Sequence, residues 1–144
     1  MNHLPQSIVT GVLVFNDQQG VLLCLKPKGV GPYPDMYLTP GGHIDAGETA
    51  IAGAEREVRE ETGVSITHLV PLLFDEFVTP NWKGEETHFI ALLYTAKYAS
   101  GGLKASAKDD DHMREIRWFN KKDLKALPLS PPLKRALKKL DFLS

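Results

Sequence analysis

Apolar residues fall along this chain in short strand-like runs on either side of one helical stretch. Ser7 to Phe15 is β-branched and apolar, "NDQQG" at 16 to 20 is turn chemistry, and Val21 to Leu25 resumes the run, which predicts a hairpin-like opening. The proline- and glycine-rich "KPKGVGPYPD" from Lys26 must be loop, and "MYLTPGG" reads as a short strand entering a tight turn. Good helix formers dominate from Thr49 to Thr62, and Gly63 stands where a helix would stop. Strand-like runs follow at about 64 to 78 and 88 to 97, then a polar loop from Ser100 to Arg114 and the strand "EIRWF". The tail predicts a short helical turn, a proline break, and a basic helix over about 131 to 140. Its stripe of Leu133, Ala136, Leu137 and Leu140 suits a helix docked on a sheet better than a membrane or RNA surface. There is no internal repeat. Strands before and after a central helix, with another helix at the end, place the fold in the α/β class, a sheet packed between helices.

The central helix carries unusual charge. On a wheel of 3.6 residues per turn, Ile51, Ala54 and Val58 share one sector and form the expected core stripe. Glu57, Glu60 and Glu61 fall together on the neighbouring sector, so three carboxylates face one small volume. Like charges at these spacings cost about 0.2 to 0.5 kcal/mol per pair even on an exposed helix. The bland reading is a solvated acidic face with Arg56 and Arg59 in ion pairs, Glu55 with Arg59 for example. The alternative is a divalent cation held by oxygen ligands, Mg²⁺ or Mn²⁺ rather than zinc, since no Cys or His cluster competes.

Composition narrows the setting. At 144 residues, 42% hydrophobic and 24% charged, the chain is expected to be one domain over 1–144 with a real core. A net charge of −1 gives no bulk attraction for nucleic acid or an anionic membrane, so a polyanion must be met locally, by a few basic groups or a metal. No apolar run approaches the ~18 residues a membrane span needs, the first residues lack a signal-peptide pattern, and a cytoplasmic location is expected. A homodimer is compatible with all of this. Cys24, the only cysteine, sits in "VLLCL" and reads as a buried, inert thiol.

The spacing around the helix is the most specific feature. It runs Gly42, five residues, Glu48, seven residues, then Arg56, Glu57, Val58, Arg59, Glu60, Glu61, Thr62, Gly63 and Val64. Every fixed position of the signature Gly, five, Glu, seven, Arg-Glu-aliphatic-any-Glu-Glu-any-Gly-aliphatic is met, and the sequence resembles the MutT-like Nudix hydrolases. Outside the signature, "YLTPGG", "EIRWF" and the "KKDL" turn resemble that family more loosely. The resemblance implies a Nudix-type α/β/α sandwich with a mixed sheet, and Mg²⁺- or Mn²⁺-dependent hydrolysis of a nucleoside diphosphate linked to another moiety. It implies that Glu57 and Glu61 bind metal directly, that Glu60 does so directly or through water, and that the Gly41 carbonyl completes the shell. Arg56 and Glu48 would orient these groups by ion pairing.

The family often draws a general base from the loop before the last core strand. That loop offers Asp109, Asp110, Asp111, His112 and Glu115; Asp111 is the first choice, Glu60 the rival, and Glu85 with Glu86 a third source. Trp82 and Pro80 lie in a polar loop, where the indole would either stack on a base or simply pack, whereas Trp118 is expected in the core. His43 would touch substrate; His3, His68, His88 and His112 read as surface or satisfied residues. The favoured substrate is a nucleoside triphosphate or similar small nucleotide, the alternatives being ADP-ribose or a nucleotide sugar and a dinucleoside polyphosphate. Two other readings stay open on this fold. An enzyme like isopentenyl diphosphate isomerase wants a reactive pocket cysteine, for which Cys24 is poorly placed. A non-catalytic nucleotide-binding regulator can do without the carboxylate set present here.

Overall fold

A computed structural model describes residues 4–26, 31–104 and 115–143. Its elements are β1 (Gln6–Phe15), β2 (Val21–Leu25), β3 (Tyr37–Leu38), α1 (Ala50–Thr62), β4 (Ser65–Pro80), β5 (Glu86–Ser100), β6 (Glu115–Phe119), a 3₁₀ segment (Lys121–Ala126) and α2 (Pro131–Lys139). One mixed sheet runs β3-β2-β1-β5-β4, with β6 on β2. β4 and β5 form a long antiparallel pair. β1 lies parallel to β5 in an unbroken register from Gln6↔His88 to Phe15↔Lys97.

The opening is less of a hairpin than the sequence predicts, because β1 and β2 share a single pair, Phe15↔Val21. The rest of that edge of β1 is taken by the segment after β3. Val12 N–H donates to the Pro40 carbonyl (2.9 Å) and Thr10 N–H to the Gly42 carbonyl (2.8 Å). A ligand-side loop is thereby fastened to the central strand as a strand would be.

Both faces of the sheet are covered. On one, Leu13, Val21, Leu23 and Leu93 pack against Leu133, Ala136 and Leu137 of α2, confirming that stripe as a docked face. On the other, Val12, Val14, Leu22 and Tyr94 pack against Ala54 and Val58 of α1. Alternate residues of β1 thus serve opposite cores, which explains why it reads as a continuous apolar run rather than an alternating one. Each fully buried Leu or Val is worth roughly 1.5–3 kcal/mol over its exposed state. Ile51 departs from the expected stripe. It is 43% exposed, and the inward face of α1 is completed instead by Glu57, Glu61 and Thr62. Trp118 packs beside the α1-side core, edge-on to Tyr98 at 5.8 Å. Among the described residues no helix is long and apolar enough to cross a membrane.

Candidate active site

The ends of α1 are fixed by its own sequence. Thr49 is the N-cap, its hydroxyl accepting from Ala52 N–H at 3.1 Å, and Gly63 closes the helix at φ 84° with its N–H on the Arg59 carbonyl. Such an N-cap is worth about 1 kcal/mol. Between these stops the helix has two carboxylates on its inward face, Glu57 at 8% and Glu61 at 4% exposure. A buried carboxylate is costly unless something holds it.

Arg56 is what gathers the charges. Its Nε lies 2.7 Å from Glu48 and its Nη2 3.1 Å from the other Glu48 oxygen, a bidentate pair. Its Nη1 donates to Glu57 (2.9 Å) and Glu60 (3.0 Å), and Nη2 also reaches the His43 carbonyl at 3.0 Å. Asp45, which the sequence reading passed over, stands 3.4 Å from Nε. The Glu48 hydrogen bond, with Glu57 adding to it, pushes the guanidinium further above its ordinary range despite partial burial. In return the Arg56 hydrogen bond, then one from the Asp45 backbone, holds Glu48 below the usual carboxylate value. Arg56 is thus paired with Glu48 and in contact with Glu57 and Glu60. Glu55 and Arg59 make no ion pair with each other among the described residues.

The two glycines have a steric reason. Gly41 sits at φ 149°, and a Cβ there would collide with the Thr10 carbonyl; at Gly42 a Cβ would come within 2.7 Å of a Glu57 oxygen. Only glycines let this loop lie between β1 and α1. Gly41 N–H lies 3.5 Å from Glu61. Thr10, another residue not singled out from the sequence, donates its hydroxyl to the Gly42 carbonyl at 3.1 Å. A buried hydroxyl inside an apolar strand is the signal that would have found it.

Glu57 and Glu61 form one end of a cleft of about 280 Å³. Gly41, Gly42, Thr10 and His43 line the same end, and Tyr33, Phe77, Phe89, Asn81 and Trp82 form the other. His43 is held by Ser7, ring nitrogen to hydroxyl at 2.8 Å. Tyr33 is tilted against Phe77 at 5.4 Å, and Phe77 stacks on Phe89 at 5.4 Å.

The NUDIX domain model matches residues 5–140. The chain belongs to the Nudix family. NAD-capped RNA hydrolase NudC of Pseudomonas aeruginosa is 32% identical over 138 residues, covering 95% of this chain and 45% of that protein. 8-oxo-dGDP phosphatase NUDT18 of Danio rerio is 30% identical over 121 residues, covering 84% of this chain and 34% of that protein. The chain therefore spans less than half the length of these curated relatives. A crystal structure of a MutT NUDIX hydrolase from Burkholderia pseudomallei shares the fold, with a TM-score of 0.77 at 24% identity over 94% of this chain and 98% of that one. The mixed sheet between helices is thus the Nudix fold.

Nudix proteins typically use a divalent metal. The carboxylates here fit one in kind, since Glu57 and Glu61 offer oxygen donors to the cleft and hard ions prefer them. Among the described residues, however, no three Asp, Glu, His or Cys side chains stand ready as a metal cluster. The Nη1 of Arg56 lies within 3.0 Å of both Glu57 and Glu60.

The remaining candidates separate clearly. Asp109, Asp110, Asp111 and His112 lie outside the described residues, as does His3. Glu115 accepts from the Tyr37 hydroxyl and from Arg117, each at 3.0 Å. Glu85 and Glu86 are exposed, and neither lines the cleft. His88 is paired with Glu76, and His68 is exposed at a bulge of β4. Cys24 is buried, is no part of the cleft wall, and has its thiol pushed up by burial and then by the Glu61 charge. That is the inert thiol expected, and it offers no reactive cysteine for an isomerase.

Proposed function

We propose that this chain is a pyrophosphohydrolase dependent on Mg²⁺ or Mn²⁺ that cleaves a nucleoside diphosphate linked to a further group, with a nucleoside triphosphate or similar small nucleotide as substrate. The observation that carries this reading is one cleft with two buried carboxylates at one end and an aromatic wall at the other. The names of the two relatives add support, since 8-oxo-dGDP and an NAD cap both contain a diphosphate joined to a nucleoside.

In this reading Glu57 and Glu61 hold the ion with the Gly41 carbonyl, and Glu60 joins them directly or through water. When bound, a divalent ion neutralises phosphoryl oxygens and acidifies water for attack. Arg56, clamped by Glu48, fixes the rotamers of Glu57 and Glu60. The tyrosine and phenylalanines give the nucleoside end an apolar seat that excludes water. The base that takes a proton from the attacking water is Asp111 or Glu60. kcat of Asp111→Asn and Glu60→Gln at saturating Mg²⁺ separates them, because loss of the base depresses kcat far more than it changes KM.

The direct test is release of phosphate or nucleoside monophosphate across a panel of nucleoside triphosphates, ADP-ribose, nucleotide sugars and dinucleoside polyphosphates, with Mg²⁺ and with chelator. Metal-dependent turnover of a nucleotide supports the reading. A folded protein that hydrolyses none of them overturns it.

A further inference from the structure

The turn joining β4 to β5 closes the aromatic end of the cleft, and its hydrogen bonds do more than make a turn. Asn81 N–H donates to the Glu85 carbonyl at 2.8 Å and Gly84 N–H to the Asn81 carbonyl at 2.9 Å. The Asn81 side-chain oxygen accepts twice, from Lys83 N–H at 2.9 Å and Glu85 N–H at 3.0 Å. Two converging N–H donors decide which end of the carboxamide is oxygen, because an NH₂ group cannot accept them. Both lone pairs of that oxygen are thus used. The NH₂ takes no partner among the described residues, and Asn81 lines the cleft.

Trp82, the next residue, also lines the cleft and is 57% exposed. Trp82 is absent from both cores, and within the turn its ring meets the Lys83 ammonium, 5.2 Å from the ring centroid, which leaves the opposite face for a ligand. The segment across the mouth lies close, since a Cβ on Gly31 would sit 3.9 Å from the Trp82 Cβ and 3.0 Å from Lys26 Nζ. Asn81 and Trp82, neighbours in the chain, thus both line the cleft, one with an amide oxygen fixed by the turn and the other with an exposed ring.

We infer that this turn reads the nucleobase, Trp82 stacking on its face and the Asn81 NH₂ donating to an acceptor on its edge. The inference deepens the proposed function and rests on it. An asparagine that recognises adenine needs both ends of its amide, accepting from N6 and donating to N7. With its oxygen committed to the turn, Asn81 only donates. The site therefore favours purines with a keto oxygen at C6, guanine and hypoxanthine, over adenine, which carries an amino group there.

The probe is a pair of purine nucleotides that are not cleaved, IMP and AMP, titrated against the whole chain in Mg²⁺ by calorimetry. The wild type should bind IMP roughly fivefold more tightly, the value of one hydrogen bond. Asn81→Asp keeps an oxygen for both turn N–H groups and replaces the donor with an acceptor. It should reverse the preference without moving the Tm. Trp82→Ala should weaken both nucleotides by roughly five- to a hundredfold, the value of a base stack, while keeping the IMP preference. An unchanged IMP to AMP ratio in Asn81→Asp, or wild-type affinity in Trp82→Ala, overturns the inference. A chain that hydrolyses nucleotides yet shows either of those results has lost this assignment alone; one that hydrolyses none has lost the function it rests on.

Discussion

The two ends of the cleft are built in opposite ways. At the carboxylate end, Glu48, Arg56, Glu57, Glu60 and Glu61 come from one helix and the loop leading into it, and a single guanidinium holds three of the four glutamates. At the aromatic end, Tyr33, Phe77, Asn81, Trp82 and Phe89 come from three separate stretches of chain brought together by the sheet. The first end is dense with charge and cross-braced. The second rests on ring contacts and one turn. Chemistry that tolerates little error in position suits the braced end, and recognition that varies with ligand suits the other.

The comparison breaks most decisively at the helix. Glu57→Gln and Glu61→Gln should each lower turnover by more than the roughly 10- to 100-fold typical of residues that merely support a metal ligand. Their melting temperatures without metal should hold or rise, because like charges are relieved. Near-wild-type turnover in both would mean that these carboxylates hold no metal needed for the reaction.

Arg56→Gln comes next. It removes the guanidinium that pairs with Glu48, Glu57 and Glu60, and a loss of about 1–3 kcal/mol is expected, below the ~3–5 kcal/mol of a fully buried pair because solvent reaches this one. Mg²⁺ should raise the Tm of this variant more than that of the wild type, since the ion replaces the missing charge. Equal Mg²⁺-induced shifts in the two proteins would dissociate Arg56 from the metal site.

Acid should expose the same bracing more gently. Glu48 is held below its ordinary value of 4.5, mainly by the Arg56 hydrogen bond. A carboxyl whose folded pKa is depressed stabilises the fold above the unfolded pKa, and that contribution is lost as pH falls through the folded value. Glu48→Gln should therefore be less stable than wild type at pH 7, with the difference closing below pH 4.5. Urea midpoints from pH 7 to pH 3 measure it; a gap independent of pH would show that Glu48 acts by packing.

The smallest effect is expected at the other end. Trp82→Leu should change unfolding free energy by no more than about 0.5 kcal/mol, as for an exposed position. A larger loss on denaturant unfolding would make Trp82 a structural residue and erase the contrast between the two ends.

The sequence by itself determined the helix, its stop at Gly63, and the spacing that puts Arg56 beside Glu57 and Glu60. These depend on residues at most four positions apart, where helical geometry leaves little choice. It also determined α2 and its buried stripe, because a 3.6-residue period is a local property. Ile51 shows the limit of that period. The wheel placed it in the core, but packing turned the helix so that Glu57 and Glu61 face inward and Ile51 faces out. Only the tertiary structure decided that β1 would leave β2 after one pair and run parallel to β5, some eighty residues away. It likewise decided that Tyr33, Asn81 and Trp82 would share a wall with Glu57. Parallel pairing and a shared wall follow from closing long loops around a common core, and the free energy of that closure is not carried by any short stretch of residues.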